Sequence, residues 1–88
     1  MIERTMPAAA AVQERFDRLL RAAWEWLKSE LEPGRRLTDV EVCARLQLTT
    51  TALQYKAGQR SWPIDAACVI ASACGLFIDE LDRFEVDS

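Results

Sequence analysis

Phe16, Leu19, Leu20, Ala23, Trp24, Leu27 and Leu31 recur at intervals of three and four residues. Only an α-helix turns that spacing into one continuous apolar stripe. A long helix is therefore expected from about Ala8 to Leu31. Its other face carries Glu14, Arg15, Asp17, Arg18, Arg21, Glu25 and Lys28, with Glu14 and Arg18, and Asp17 and Arg21, four apart in the favourable order. That face is expected to be solvated. Pro33-Gly34 ends the helix, because proline lacks the helical N–H and glycine accepts the turn. A stripe this long must be buried against something, and the remaining chain must supply it. With 88 residues, half of them apolar, there is enough for one core and not for two.

Thr38-Asp39-Val40-Glu41 has the form of a capping box, in which threonine and glutamate satisfy each other's amides at a helix start. The helix that follows carries Val42, Cys43, Leu46 and Val40 on its apolar face and ends near Leu46-Gln47. Thr49-Thr50-Thr51 suits a turn and an N-cap better than a helix interior. Thr49 is the expected cap of a third helix, Thr50 to Ala57, closed by Gly58. Pro63 opens a fourth, with Ile64, Ala67, Cys68, Ile70, Ala71 and Cys74 as its apolar residues, and Gly75 stops it. Leu76, Phe77, Ile78, Leu81 and Phe84 among acidic neighbours indicate a short helical turn over the core, followed by a fraying acidic end. No segment has strand alternation. The expectation is an all-α bundle of about five helices in a single domain, 1–88. Within it, residues 1–7 would be disordered, 8–32 the long helix, 37–82 the compact remainder and 83–88 an acidic tail.

The formal net charge is −3, which disfavours an anionic partner until its distribution is considered. From Arg35 to Arg60 there are five basic and two acidic residues, whereas from Ser61 to Ser88 there are one and six. An anionic ligand should meet the middle third. The three cysteines, Cys43, Cys68 and Cys74, form no Cys-x-x-Cys pair and there is no histidine. Neither a disulfide framework nor a common zinc site is encoded, and reduced, buried thiols are expected. Without histidine, a glycine-rich phosphate loop or a nucleophile beside a base, no catalytic residue, cofactor or metal is expected. The run Ala8–Val12 is too short for a signal-peptide core or a membrane span, which points to a cytoplasmic protein.

Three segments resemble the Cro and phage-repressor family of helix-turn-helix regulators, also called the xenobiotic-response-element type. Val42-Cys43-Ala44-Arg45-Leu46-Gln47-Leu48-Thr49 is similar to its second helix and turn, and Gln54 to Arg60 to the exit of its recognition helix. Ile70 to Leu81 is similar to its closing helices. Gln47 stands where that turn is commonly glycine, Cys43 where alanine is common and Phe77 where a small cap is usual. The stretch Leu48–Gly58 is one residue short.

The resemblance implies a lambda-repressor-like helix-turn-helix domain that binds double-stranded DNA through the helix near 50–57. Thr50, Thr51, Gln54 and Tyr55 would face base edges in the major groove. Arg35, Arg36, Thr49, Lys56, Gln59 and Arg60 would meet the phosphate backbone. The implied function is a sequence-specific transcriptional regulator, of the phage or mobile-element repressor type, acting as a homodimer; the first helix, longer than that family needs, is the expected dimer surface. The alternative is a protein-interaction module that keeps the fold without specific DNA binding. From the residues alone, the threonines equally suit a plain cap, the basic residues an ordinary charged surface, and Tyr55 a place at the core rim. Trp24 falls on the apolar stripe, Trp26 off it as an exposed anchor, and Trp62 is expected to pack over the start of the fourth helix.

Overall fold

A computed structural model describes the backbone of residues 2–85 and the side chains of residues 11–85. Four α-helices, α1 (Ile2–Glu30), α2 (Asp39–Arg45), α3 (Ala52–Lys56) and α4 (Ile64–Ala73), are followed by a 3₁₀ helix, Ile78–Phe84. The described residues contain no strand. The apolar stripe is buried as the periodicity requires: Leu20, Ala23, Trp24 and Leu27 of α1 meet Leu37, Val42, Ala67, Ile70 and Leu81. Each fully buried leucine contributes on the order of 1.5–3 kcal/mol by leaving water. The small residues Ala66, Ala67 and Ala71 of α4 are buried, which lets α4 lie close to α1, and the 3₁₀ helix closes the cluster with Leu81. Among the described residues, no helix is long and apolar enough to cross a membrane.

The backbone helix of α1 begins at Ile2, ahead of Ala8, so the segment 1–7 read as disordered is drawn into the helix from residue 2. Pro7 removes one amide donor, and the backbone continues through it. Residues 11–15 are exposed, so α1 runs out past the core. At 29 residues it is roughly 43 Å long, close to the longest extent of the molecule, 50 Å.

Asp17 departs from the expected solvated face. It is 8% exposed, and its Oδ1 accepts from the backbone N–H of Trp62 at 3.1 Å and from Gln13 Nε2 at 3.0 Å. Turned inward, it does not pair with Arg21, and Arg18 pairs with Glu85 at 3.1 Å rather than with Glu14. The chain beyond Leu81 is held likewise: Phe84 packs edge-on against Trp26 with centroids 6.0 Å apart, and Arg15 and Arg18 bind Glu85. The tail read as fraying is therefore tied to α1 as far as Glu85, and residues 86–88 of the expected tail lie outside the described residues.

Val40, Ile64 and Cys68 are exposed rather than on buried faces. In short helices only about half of the apolar positions can point inward, and Val42 and Cys43 occupy the core side of α2 while Ala66, Ala67, Ile70 and Ala71 occupy that of α4. Only Cys43 of the three thiols is buried, and Cys74 is half-buried. Burial pushes both thiols up, Cys74 to about 11.

Helix ends explain the turns. The Thr38 amide donates to Glu41 Oε1 at 2.9 Å and the Glu41 amide to Thr38 Oγ1 at 3.3 Å, completing the capping box. α2, α3 and α4 then all finish in the same way. The second residue past the helix cap donates its amide to the carbonyl five residues back, as in Leu48 to Cys43, Gln59 to Gln54 and Leu76 to Ala71, at 2.9–3.0 Å. This Schellman closure needs a left-handed residue in between. Gly58 (φ 83°) and Gly75 (φ 75°) supply it for α3 and α4, and Gln47 (φ 58°) supplies it for α2.

Candidate nucleic-acid interface

α2, the turn 46–51 and α3 form one unit whose position is fixed from three sides. The Cys43 thiol shares its one proton between the carbonyl oxygens of Leu48 (3.3 Å) and Thr49 (3.1 Å), lashing the turn to α2. Trp24 Nε1 donates to Asp39 Oδ1 at 3.0 Å, fixing the start of α2 on α1. Lys56, at the end of α3, binds Glu25 Oε2 of α1 at 2.6 Å and approaches Asp39 at 3.7 Å. Lys28 completes this group, 2.9 Å from Asp39 and 3.4 Å from Glu25. The hydrogen bond from Lys56 holds the Glu25 carboxyl below the usual range, and the bond to Asp39 raises Lys28. Burial pushes Asp39 up, but hydrogen bonds from Lys28 and Trp24 hold it low on balance.

The start of α3 differs from expectation. Its cap residue is Thr51, not Thr49, and Thr51 already has helical torsions (φ −57°, ψ −28°) with no side-chain cap bond. A hydroxyl reaches the second or third amide only from an extended cap residue. The threonine run instead makes tight turns, with the amides of Ala52, Leu53 and Gln54 donating to the carbonyls of Thr49, Thr50 and Thr51.

Of the four residues expected to face bases, Thr50 and Gln54 are exposed, Thr51 is half-buried, and Tyr55 is half-buried, with its ring 5.4 Å from that of Trp62. Trp62 itself is buried and stacks at a tilt on Trp24, 5.8 Å away. Tyr55 thus belongs to the core rim, and the open side of α3 is carried by Gln54, with Thr50 before it and Gln59 and Arg60 after it. Thr49 is exposed, with its carbonyl engaged by Cys43 and Ala52.

The expected phosphate contacts divide by what holds them. Arg35 bridges Glu32 at 2.7 Å and Glu41 at 2.8 Å. The Arg35 guanidinium, with the Thr38 amide, lowers the Glu41 carboxyl to about 2. Arg36 binds Glu25 and donates to Ser29 Oγ at 3.0 Å, and Arg45 binds Glu32 at 2.8 Å. Glu32 is held low by Arg45 first and Arg35 second. The positive middle third is thus met by Glu25 and Glu32 of the first third, which linear charge counting could not show. Such pairs between exposed side chains are worth about 0–1 kcal/mol, so Arg35 and Arg36 can exchange partners readily. Lys56, with its side chain only 16% exposed, is committed to the fold. Gln59 and Arg60 are exposed, and no carboxylate among the described residues pairs with Arg60.

Sequence reasoning missed two features of this region. One is the lashing role of the Cys43 thiol, which periodicity marks only as apolar. The other is an open groove of about 240 Å³ between the turn, α3 and α4, walled by Leu48, Ala52, Tyr55, Pro63, Ala66 and Val69. No protein-family model, no curated protein and no solved structure matches the chain.

Proposed function

We propose that the chain is a sequence-specific DNA-binding regulator of the helix-turn-helix kind, acting in the cytoplasm as a repressor of phage or mobile-element type. The observation that carries the reading is the α2–turn–α3 unit. α3 is braced on α1 and α2 by Lys56 and on the core by Ala52, while Thr50 and Gln54 stay exposed on its outer side. Glutamine can pair bidentately with adenine, and threonine can touch a base edge or the thymine methyl. Gln59 and Arg60, and after partner exchange Arg35 and Arg36, serve the phosphates. The regulator works as a homodimer through the part of α1 that runs past the core, where Val12 is exposed, with half-sites about 34 Å apart. The test is fluorescence anisotropy on duplex DNA from immediately upstream of the protein's own gene, beside a scrambled duplex, at low and near-physiological salt. Salt-sensitive preference for the native sequence, lost in Gln54→Ala, supports the reading. Equal binding to both duplexes, or none, overturns it.

The pairing of Arg35, Arg36 and Lys56 with carboxylates favours a second reading, a protein-interaction module that uses the groove beside α3. It takes over if wild-type protein ignores DNA at low salt.

A further inference from the structure

We infer that Arg21, on α1, is a DNA-backbone ligand that joins Arg60 at the exit of α3; this rests on the DNA-binding reading. Of the basic side chains from Arg15 to Arg83, all but Arg21 and Arg60 lie within 4.0 Å of a carboxylate among the described residues. Both unpaired guanidinium groups belong to the same end of α3. Arg21 Nη1 stands 4.0 Å from where a Cβ on Gly58 would lie, and Arg60 follows Gly58 by two residues.

The reason Arg21 is unpaired is structural. Asp17, one helical turn before it, would neutralise it in an isolated helix. In the fold, Asp17 is turned inward to the Trp62 amide and Gln13. Arg21 is half-buried and forms no hydrogen bond among the described residues. It borders an open depression of about 390 Å³ with Gln13, Asp17, Gly58 and Ser61. A guanidinium left without a carboxylate at such a place suits a phosphate, whose oxygens take its paired N–H groups. The Gln13 N–H not given to Asp17 and the Ser61 hydroxyl are further donors. Asp17 and Glu14 both border the depression and oppose an anion there; the Trp62 and Gln13 N–H groups engage Asp17, and the exposed Glu14 tunes the site. The strand that meets this end would be the one flanking the groove that α3 enters.

Phosphate contacts are blind to sequence, so the test uses fluorescein-labelled scrambled duplex DNA as well as the upstream duplex, titrated by anisotropy across salt concentrations. Variants R21Q and R60Q should each weaken both duplexes alike and flatten the slope of log K against log salt by about 0.9 per arginine lost, or about 1.8 per bound homodimer. R21K should keep the wild-type slope, E14Q should tighten binding, and R83Q, whose arginine is held by Glu80, should change nothing. Circular dichroism checks that each variant folds. A wild-type slope in R21Q, or unchanged binding in E14Q should R21Q fail to fold, overturns the inference while wild-type binding leaves the DNA reading standing. Absence of wild-type binding at low salt overturns both.

Discussion

Replacing Gln47 by glycine should stabilise the protein although it removes a side chain. Gln47 takes φ 58°, the left-handed torsion that Gly58 and Gly75 take at the same point of their own helix ends. For a residue with a Cβ that conformation costs roughly 1–2 kcal/mol. Glycine removes this cost but adds unfolded-chain entropy worth about 0.4–1 kcal/mol. Gln47 is exposed and its side chain makes no hydrogen bond among the described residues, so little packing is lost. The expected net gain for Gln47→Gly is about 0.5–1 kcal/mol, which raises Tm by roughly 2–8 °C for a chain of this size. The reverse changes supply the control. A Cβ on Gly75 would meet nothing within 4 Å, and one on Gly58 only Arg21 Nη1 at 4.0 Å, so Gly75→Ala and Gly58→Ala should each lose about 0.5–1 kcal/mol, the torsional cost less the entropy that alanine takes from the unfolded chain. Urea unfolding followed by circular dichroism and by tryptophan fluorescence measures all three, and coincident transitions justify the comparison. If Gln47→Gly is no more stable than wild type while Gly75→Ala is clearly weakened, the left-handed strain assigned to Gln47 is wrong.

Four further outcomes are expected. Leu20→Ala, at a fully buried position, should cost about 2–5 kcal/mol in the same unfolding assay, by lost transfer energy and cavity formation. Asp17→Ala leaves the buried Trp62 amide without its acceptor and should cost roughly 1–3 kcal/mol, whereas Asp17→Asn keeps an acceptor and should be milder. Acid titration should find stability present above the ordinary carboxylate range. It should be lost as pH falls from about 4.5 toward about 2, because Glu25, Glu32, Asp39, Glu41 and Glu85 are held low in the fold. Lys28, raised by Asp39, adds stability that is lost only as pH rises beyond the ordinary lysine range. A thiol-reactive dye should modify exposed Cys68 first and buried Cys43 last; equal rates would contradict the described packing.

Local chemistry was readable in the sequence because its partners lie within one helical turn. The stripe on α1 placed Leu20, Trp24 and Leu27 in the core, the spacing of Thr38 and Glu41 announced the capping box, and Gly58 and Gly75 marked two helix ends. Intrinsic spacing suffices for such features, since they depend on 3.6 residues per turn and on the first and last amides. What only the tertiary structure decided involves residues far apart in the chain. Glu25 and Glu32 neutralise arginines that charge counting left free, Asp17 turns inward to an amide 45 positions on, and Glu85 reaches back to Arg15 and Arg18. The threonine run shows the same boundary at short range: its composition signalled a turn, but which threonine caps α3 depended on backbone torsions set by the turn's closure on Cys43. Coulomb partners and buried donors are chosen by proximity in three dimensions, so the charge that remains free among the described residues, on Arg21 and Arg60, emerges only once the helices are packed.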